Sequence, residues 1–471
     1  MDERAVKFAF SPERRYTLRK CSHNGVIFVQ TDLTRGSITG RLLKFALPMM
    51  AGNLLQQVYN IADTLIVGRF LGADALAAVG SSYTLMVFLT SVLLGLSMGA
   101  GAYFSIQFGR RDTEKLRQGA ALSFAAIALV TLVMNALMFA GINWILRFLK
   151  VPSEVTGLMK SYLLVIFAGL IATFLYNFFA CLLRALGNSA APLWFLAVSA
   201  LLNVGLDLLF VLVFRWGVAG AAGATVLAQY VSGVGITIYF WRTCPELRPR
   251  RQDFRWDGGV MREIGGLSLL TCLQQSIMNF GILMVQGLVN SFGAATMAAF
   301  AAAVKIDSFA YSPVQDFGNA FSTFVAQNHG AGQTARIRKG FRSALTAVLI
   351  FCAAISLGVC LFAPALMQIF VSAEEAEIIA IGVGYLRIEG ACYFGIGLLF
   401  LFYGYYRAVQ KPGMSVLLTI LSLGTRVALA YALSALPGVG VTGIWLSVPI
   451  GWALADLVGA VYYFKSKGTL Q

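Results

Sequence analysis

The sequence predicts an all-α integral membrane protein of twelve transmembrane helices, arranged as two related six-helix halves. Three observations predict it. Hydrophobic residues reach 58% and charged residues only 12% over 471 residues, with a mean hydropathy of +0.75, which is not the balance of a set of water-facing domains. Apolar stretches long enough for a bilayer, which takes about 20 residues, recur along the whole chain. The two halves also match each other at nearly constant spacing.

In order, the apolar stretches of the first half fall near 42–70, 76–108, 119–146, 157–183, 191–214 and 218–241. After a polar, arginine-rich segment at 242–259 come six more, near 261–292, 295–328, 341–370, 377–406, 413–435 and 440–464. Several exceed the minimum span and therefore tilt or protrude. Pro48 lies inside the first, where a missing N–H and a ring clash favour a bend. Gly95 and Gly99, four apart in the second, suit a close helix crossing; no strand precedes them, so they do not read as a phosphate loop.

The repeat is visible residue by residue. Gly109, Thr113, Lys115, Leu116, Arg117 and Gly119 meet Gly330, Thr334, Arg336, Ile337, Arg338 and Gly340 at an offset of 221. At 223, Tyr162, Arg184, Gly217, Val218 and Gly220 meet Tyr385, Arg407, Gly440, Val441 and Gly443. Six spans return the chain to its starting side, so the duplication is parallel, with its pseudo-two-fold axis along the membrane normal.

Lys and Arg cluster on one side of the membrane. Arg110, Arg111, Lys115 and Arg117 follow the second span, Arg248, Arg250, Arg251 and Arg255 the sixth, and Arg336, Arg338, Lys339 and Arg342 the eighth, whereas Glu374, Glu375 and Glu377 follow the ninth. The positive-inside rule makes the basic side cytosolic, with both termini there, in a multi-pass protein of the cytoplasmic membrane. The expected organisation is a cytosolic tail at 1–36, a first lobe at 37–241, a cytosolic connection at 242–259, and a second lobe at 260–471 ending in a short tail. The polar, aperiodic start lacks the apolar core of a cleavable signal.

The net charge of +15 is spread between apolar runs rather than gathered on one face, so it argues orientation and not nucleic-acid binding. Seven cysteines without a CxxC pair read as packing residues, and two histidines exclude a His-rich metal centre. No cofactor, structural metal or enzymatic constellation is expected.

Charge inside the apolar runs carries the functional signal. A carboxylate at mid-bilayer costs about 3 kcal/mol on insertion scales, so each needs a reason. Asp63 follows Gln56, Tyr59 and Asn60 by seven, four and three residues, which puts a polar stripe on one face of the first helix. Asn203 and Asp207, four apart, share a face of the fifth. In the second half their repeat partners are Arg426 and Ala430, so the acidic pair is not duplicated. Lys305, Asp307, Arg387, Glu389, Arg426 and Asp456 lie in or near apolar spans, where opposite charges tend to pair. Asp307 and Glu389 are alternatively a substrate contact or a second ion site. Gln274 and Gln275 echo Gln56 and Gln57 in the first helix of each half, as cavity walls or as helix–helix contacts.

The run Leu47-Pro48-Met49-Met50-Ala51-Gly52-Asn53, then Asp63-Thr64-Leu65-Ile66-Val67-Gly68 and Leu71-Gly72-Ala73-Asp74-Ala75-Leu76-Ala77-Ala78-Val79-Gly80, resembles the opening of multidrug and toxic-compound extrusion (MATE) transporters. Arg184-Ala185-Leu186-Gly187-Asn188, Asn203 to Asp207 and Gly217-Val218-Ala219-Gly220-Ala221-Ala222 extend the resemblance, which covers Gly36 to Phe464. It implies two lobes in a V around a central cavity and export driven by inward H+ or Na+. It also maps a first-lobe cation site onto Asp63, Asn177, Asn203, Asp207 and Thr225. This oxygen-rich set suits a proton held between buried carboxylates or a sodium ion at Asp63 and Asp207.

The expected function is a monomeric secondary antiporter for amphipathic organic cations, working by alternating access. The alternative is a lipid-linked sugar flippase of the same broader (MOP) superfamily. Such a protein would favour basic residues around its cavity, whereas the first half offers acids.

Overall fold

The computed structural model describes residues 31–148 and 153–466, so Cys21, His23 and most of the tail lie outside the described residues. Helices of the first half are Ile38–Leu71 (α1), Ala73–Arg110 (α2), Thr113–Phe148 (α3), Ser153–Ala168 (α4), Leu170–Ala185 (α5), Ala190–Asp207 (α6) and Gly217–Thr243 (α7). Those of the second are Gly258–Asn290 (α8), Ala294–Gly330 (α9), Thr334–Gln368 (α10), Ala376–Gly390 (α11), Tyr393–Ala408 (α12), Pro412–Ser434 (α13) and Val441–Ser466 (α14). All regular structure among the described residues is helical, and the predicted all-α membrane fold stands.

Two differences from the sequence reading recur in both halves. The fourth and tenth spans are not single helices: α4 and α5 meet at 42° and α11 and α12 at 51°. The break falls at Gly169 in one and beside Cys392 in the other, 223 residues apart. Hydropathy reads straight through such a break, and no proline marks it. The basic "loops" after the second and eighth spans are also mostly helix. Lys115 and Arg117 belong to the first turns of α3, and Arg336 and Arg338 to those of α10, so these helices protrude beyond their apolar parts. α1, by contrast, runs through Pro48 without interruption.

The repeat is written into the packing. Gly72 at φ 89° turns the chain between α1 and α2, and Gly293 at φ 96°, its partner at 221, does so between α8 and α9; both occupy the left-handed region that glycine alone enters without cost. A β-carbon at Gly119 would stand 2.3 Å from Tyr103 Cε1, and one at Gly340 2.2 Å from Phe324 Cε1, the same contact made twice. Lipid-facing surfaces match as well. Leu129, Leu132, Val133 and Leu137 are exposed along α3, and Ile350, Leu357, Leu361 and Phe362 along its counterpart α10.

The lobes meet chiefly through α2 with α8, α1 with α9, and α2 with α9. Gly95 and Gly99 lie against α8 backbone, where their β-carbons would be 2.5 Å from Cys272 Cα and 2.4 Å from Ser268 Cα, as the close-crossing reading expected. At the arginine-rich end α2 and α9 touch backbone to backbone. A β-carbon at Gly109 would lie 2.0 Å from the Gln327 carbonyl oxygen, and one at Gly330 2.0 Å from that of Ile106. Toward the other end, a β-carbon at Gly80 of α2 or Gly287 of α8 would find no atom within 4 Å. The lobes are sealed at the first end and part toward the second.

The first helix of each lobe begins in the other lobe's core. Leu42, Phe45, Ala46 and Met49 of α1 pack with the second lobe, and Val260, Ile264 and Leu267 of α8 pack with the first. Residues 31–36, the end of the segment read as a tail, form a strap across the sealed end. Thr31 N–H donates to Gly187 O (2.9 Å), and Leu33 N–H to Gln327 Oε1 (3.2 Å). Asn328 Nδ2 donates to Leu33 O (3.2 Å), and Arg336 to the carbonyls of Leu33, Arg35 and Gly36 at 2.8–3.3 Å. Gln327 Nε2 completes the strap's lobe-to-lobe link by donating to Ala185 O at 2.8 Å.

The connection between the halves is pinned by a buried ion pair, Arg117 Nε to Asp253 Oδ2 at 2.6 Å. Asp253 Oδ2 also accepts from Arg250 N–H at 2.6 Å. Burial alone would raise the Asp253 carboxyl, but the bonds from Arg117 and Arg250 outweigh it and hold the group below its ordinary value.

Candidate functional site

Among the described residues, eight helices and the two bent pairs are long and apolar enough to cross a membrane; α1 and α9 match them in length but not in apolarity. The reason is where their polar side chains go. Between the lobes lies a cavity of about 580 Å³, lined among others by Gln56, Asn60 and Asp63 of α1 and by Asp307, Gln315, Asp316 and Asn319 of α9. These two helices forgo lipid compatibility on the faces that they turn to this space.

In the first lobe the structure brings together four of the five residues of the cation set. Asp207 ends α6 where the helix widens into the π-helical turn Leu208–Val213, a distortion frequent at functional sites. It is 0% exposed and sits behind half-buried Asp63, which reaches the cavity wall. The two carboxyl groups lie within hydrogen-bonding reach of each other. Asn203, one turn before Asp207, bridges outward: with Nδ2 toward Asp207 Oδ2 at 3.2 Å, its oxygen accepts from Thr225 Oγ1 and N–H, both at 3.3 Å. Asp63 Oδ1 and Asp207 Oδ1 are buried without a hydrogen-bond partner, and among the described residues neither acid has a basic side chain within ion-pair distance.

The fifth residue, Asn177, lines the same cavity but stands apart, donating its amide to Thr173 O one turn back (2.8 Å). Tyr59 stands beside the acids, as the α1 stripe implied, and so does Tyr162 of α4. Sequence reasoning found Tyr162 only as a repeat partner. A lone tyrosine in an apolar run carries no sign of whether it faces core, lipid or cavity.

The second lobe builds a different cluster. Asp307 of α9, Glu389 of α11 and Arg426 of α13 all line the cavity, flanked by Tyr385, the repeat partner of Tyr162, and by Tyr311. Asp307 Oδ1, Glu389 Oε1 and Arg426 Nε are buried without hydrogen-bond partners. The paired-ion network expected here does not form among the described residues. Lys305 and Arg387 are exposed, and Asp456 is buried between α14 and α12 near Gly395, off the cavity wall. Gln56 and Gln275 line the cavity, while Gln274 is buried away from it.

Near the sealed end is a third group that sequence reasoning did not assemble. Asp316 and Asn319 of α9 lie beside Asn53 of α1, Arg184 of α5 and Arg407 of α12. A signal was there: Ser312, Asp316, Asn319 and Thr323 form a polar stripe at helical spacing along α9.

The transporter-family model described as MatE matches residues 48–209 and 268–432, one block in each lobe. The chain belongs to the MATE family. A probable multidrug resistance protein of Bacillus subtilis, YpnP, is 30% identical over 92% of this chain and 96% of its own length. A MOP-superfamily transporter from Pyrococcus furiosus has the same fold, with a TM-score of 0.88 at 23% identity over 94% of this chain and 98% of that one. A multidrug resistance MATE transporter in an outward-facing conformation likewise gives 0.88 at 22% identity, covering 94% and 98%. MATE proteins are multi-pass membrane transporters and not enzymes. The twelve spans in two lobes follow from this fold once each bent pair is taken as one.

Proposed function

We propose that this chain is a multidrug-type secondary antiporter that exports amphipathic organic cations in exchange for inward H+ or Na+, with Asp63 and Asp207 as the coupling pair. The observation that carries the reading is two carboxyl groups in mutual reach, one on the cavity wall and one behind it, with no basic partner. Two ionised carboxylates at that separation repel in a low-dielectric setting, so the pair holds a proton or a small cation. Cargo charge and coupling ion then compete for one negative site, and alternating access converts that competition into exchange. The names of the relatives support drug-like cargo. With the sealed, arginine-rich end read as cytosolic, our reading is of an outward-open monomer in the cytoplasmic membrane. A flippase for a pyrophosphate-linked sugar would want basic residues where the first lobe has these acids.

The test is reconstitution into liposomes with an imposed pH or sodium gradient, following a fluorescent cationic dye. The gradient that drives uptake names the ion. Asp63→Asn and Asp207→Asn should each lower gradient-driven transport at least tenfold while the protein still inserts and binds dye. Full coupled transport by either variant overturns the assignment.

A further inference from the structure

Arg184 and Arg407 are repeat partners, each in the last turn of the second limb of a bent span, one from each lobe. Both reach the cavity near its sealed end, and both lie close to Cys181. Their hydrogen bonding is incomplete. Arg407, 4% exposed, donates only to neutral acceptors: Nε to Ser322 Oγ at 3.2 Å and Nη2 to Asn319 Oδ1 at 2.9 Å. Arg184 Nε is buried with no partner at all. Asp316, the carboxylate beside Arg184, forms no ion pair with either arginine among the described residues, and its Oδ2 is itself unpartnered.

Guanidinium groups present five directional N–H donors apiece, and buried ones are normally met by carboxylate or phosphate oxygens. The negative ends of α5 and α12, each worth about half an elementary charge, make the empty pair tolerable. They do not satisfy its donors. We propose that Arg184 and Arg407 form a subsite for the carboxylate of the transported molecule, so that cargo carrying both a cationic group and a carboxylate lies across the cavity between Asp63 and the arginine pair. This deepens the export reading and rests on it. Asn319 and Ser322 act as positioning residues that aim the Arg407 fork into the cavity.

A matched probe pair isolates the subsite: rhodamine B, with a free carboxylate, and its ethyl ester, in which an ethyl group removes that charge. Binding to the full-length protein in nanodiscs is read by fluorescence anisotropy. Arg407→Gln and Arg184→Gln should each weaken rhodamine B by about tenfold or more, the scale of a lost charge-assisted hydrogen bond, and leave the ester within about twofold. Arg407→Lys should fall between. Retained ester binding shows that the variants are folded. Equal losses for both dyes, or no loss for rhodamine B, overturns the subsite. If wild-type protein binds and transports the ester but not rhodamine B, the subsite fails and the export reading stands; if it handles neither, both fall.

Discussion

Asp253 shows how much one buried side chain is asked to do in the connection between the lobes. Among the described residues it is the only acid paired with Arg117 on α3, and it holds that connection in place. Removing one member of a buried pair costs about 3–5 kcal/mol, so Asp253→Asn should free this segment at neutral pH. In the native chain the carboxyl is held below its ordinary value, so its contribution is complete above about pH 4, the unfolded carboxylate range, and fades as pH falls through the lower folded value. Pepsin should therefore spare residues 244–257 at pH 4 and cut them in stronger acid, while the Asn variant is cut at both; equal cutting of the two proteins at pH 4 would refute this. Within the membrane, Asp63, Asn203 and Asp207 were legible in the sequence because charge and amide in apolar runs stand out against their surroundings, whereas Thr225 came only from the family resemblance. Asn177, which the resemblance put in the cation site, lines the cavity apart from the acids and bonds to its own helix. Whether a polar side chain turns back on its backbone or outward depends on neighbours that no single helix specifies. The same holds for Tyr162 and Arg407, which a repeat could flag without saying what they face.

Element boundaries were read to within a few residues where polar punctuation was strong. The bends at Gly169 and Cys392 were missed because composition does not change across them. Spacing did reveal the crossing at Gly95 and Gly99. Gly109 and Gly330 are a symmetric pair, each pressed on the other helix's carbonyl, and an added methyl must push α2 and α9 apart. Gly109→Ala or Gly330→Ala should thus destabilise the sealed state, and the double variant more than either single one. Spin labels at Thr113→Cys and Ala335→Cys, both exposed beside the crossing, should report a distance distribution shifted to longer values; an unchanged distribution would mean that the crossing does not set the closed end.

At the scale of the whole molecule, the two-lobe plan followed from an offset of 221–223 residues, and the structure repeats it in turns, bends and contacts. What the sequence repeat did not bring out is the strap, since residues 31–36 carry no apolar pattern, although at 221 they meet 252–257 with Asp32 on Asp253. Arg336 donates to three of its carbonyls, so Arg336→Ala should speed hydrogen exchange of the Thr31 and Leu33 amides at least several-fold, measured by mass spectrometry; native protection would show that Arg336 is dispensable to it. The strap lies across both lobes, and a cycle that opens the sealed end has to release it. The exchanged starts of α1 and α8 reach further, into biogenesis. During synthesis α1 is delivered long before the core that receives Leu42 and Phe45, and a fragment ending at the inter-lobe connection would leave that stretch bare in the bilayer. Neither half is a self-sufficient folding unit, so severed halves should mature only when produced together.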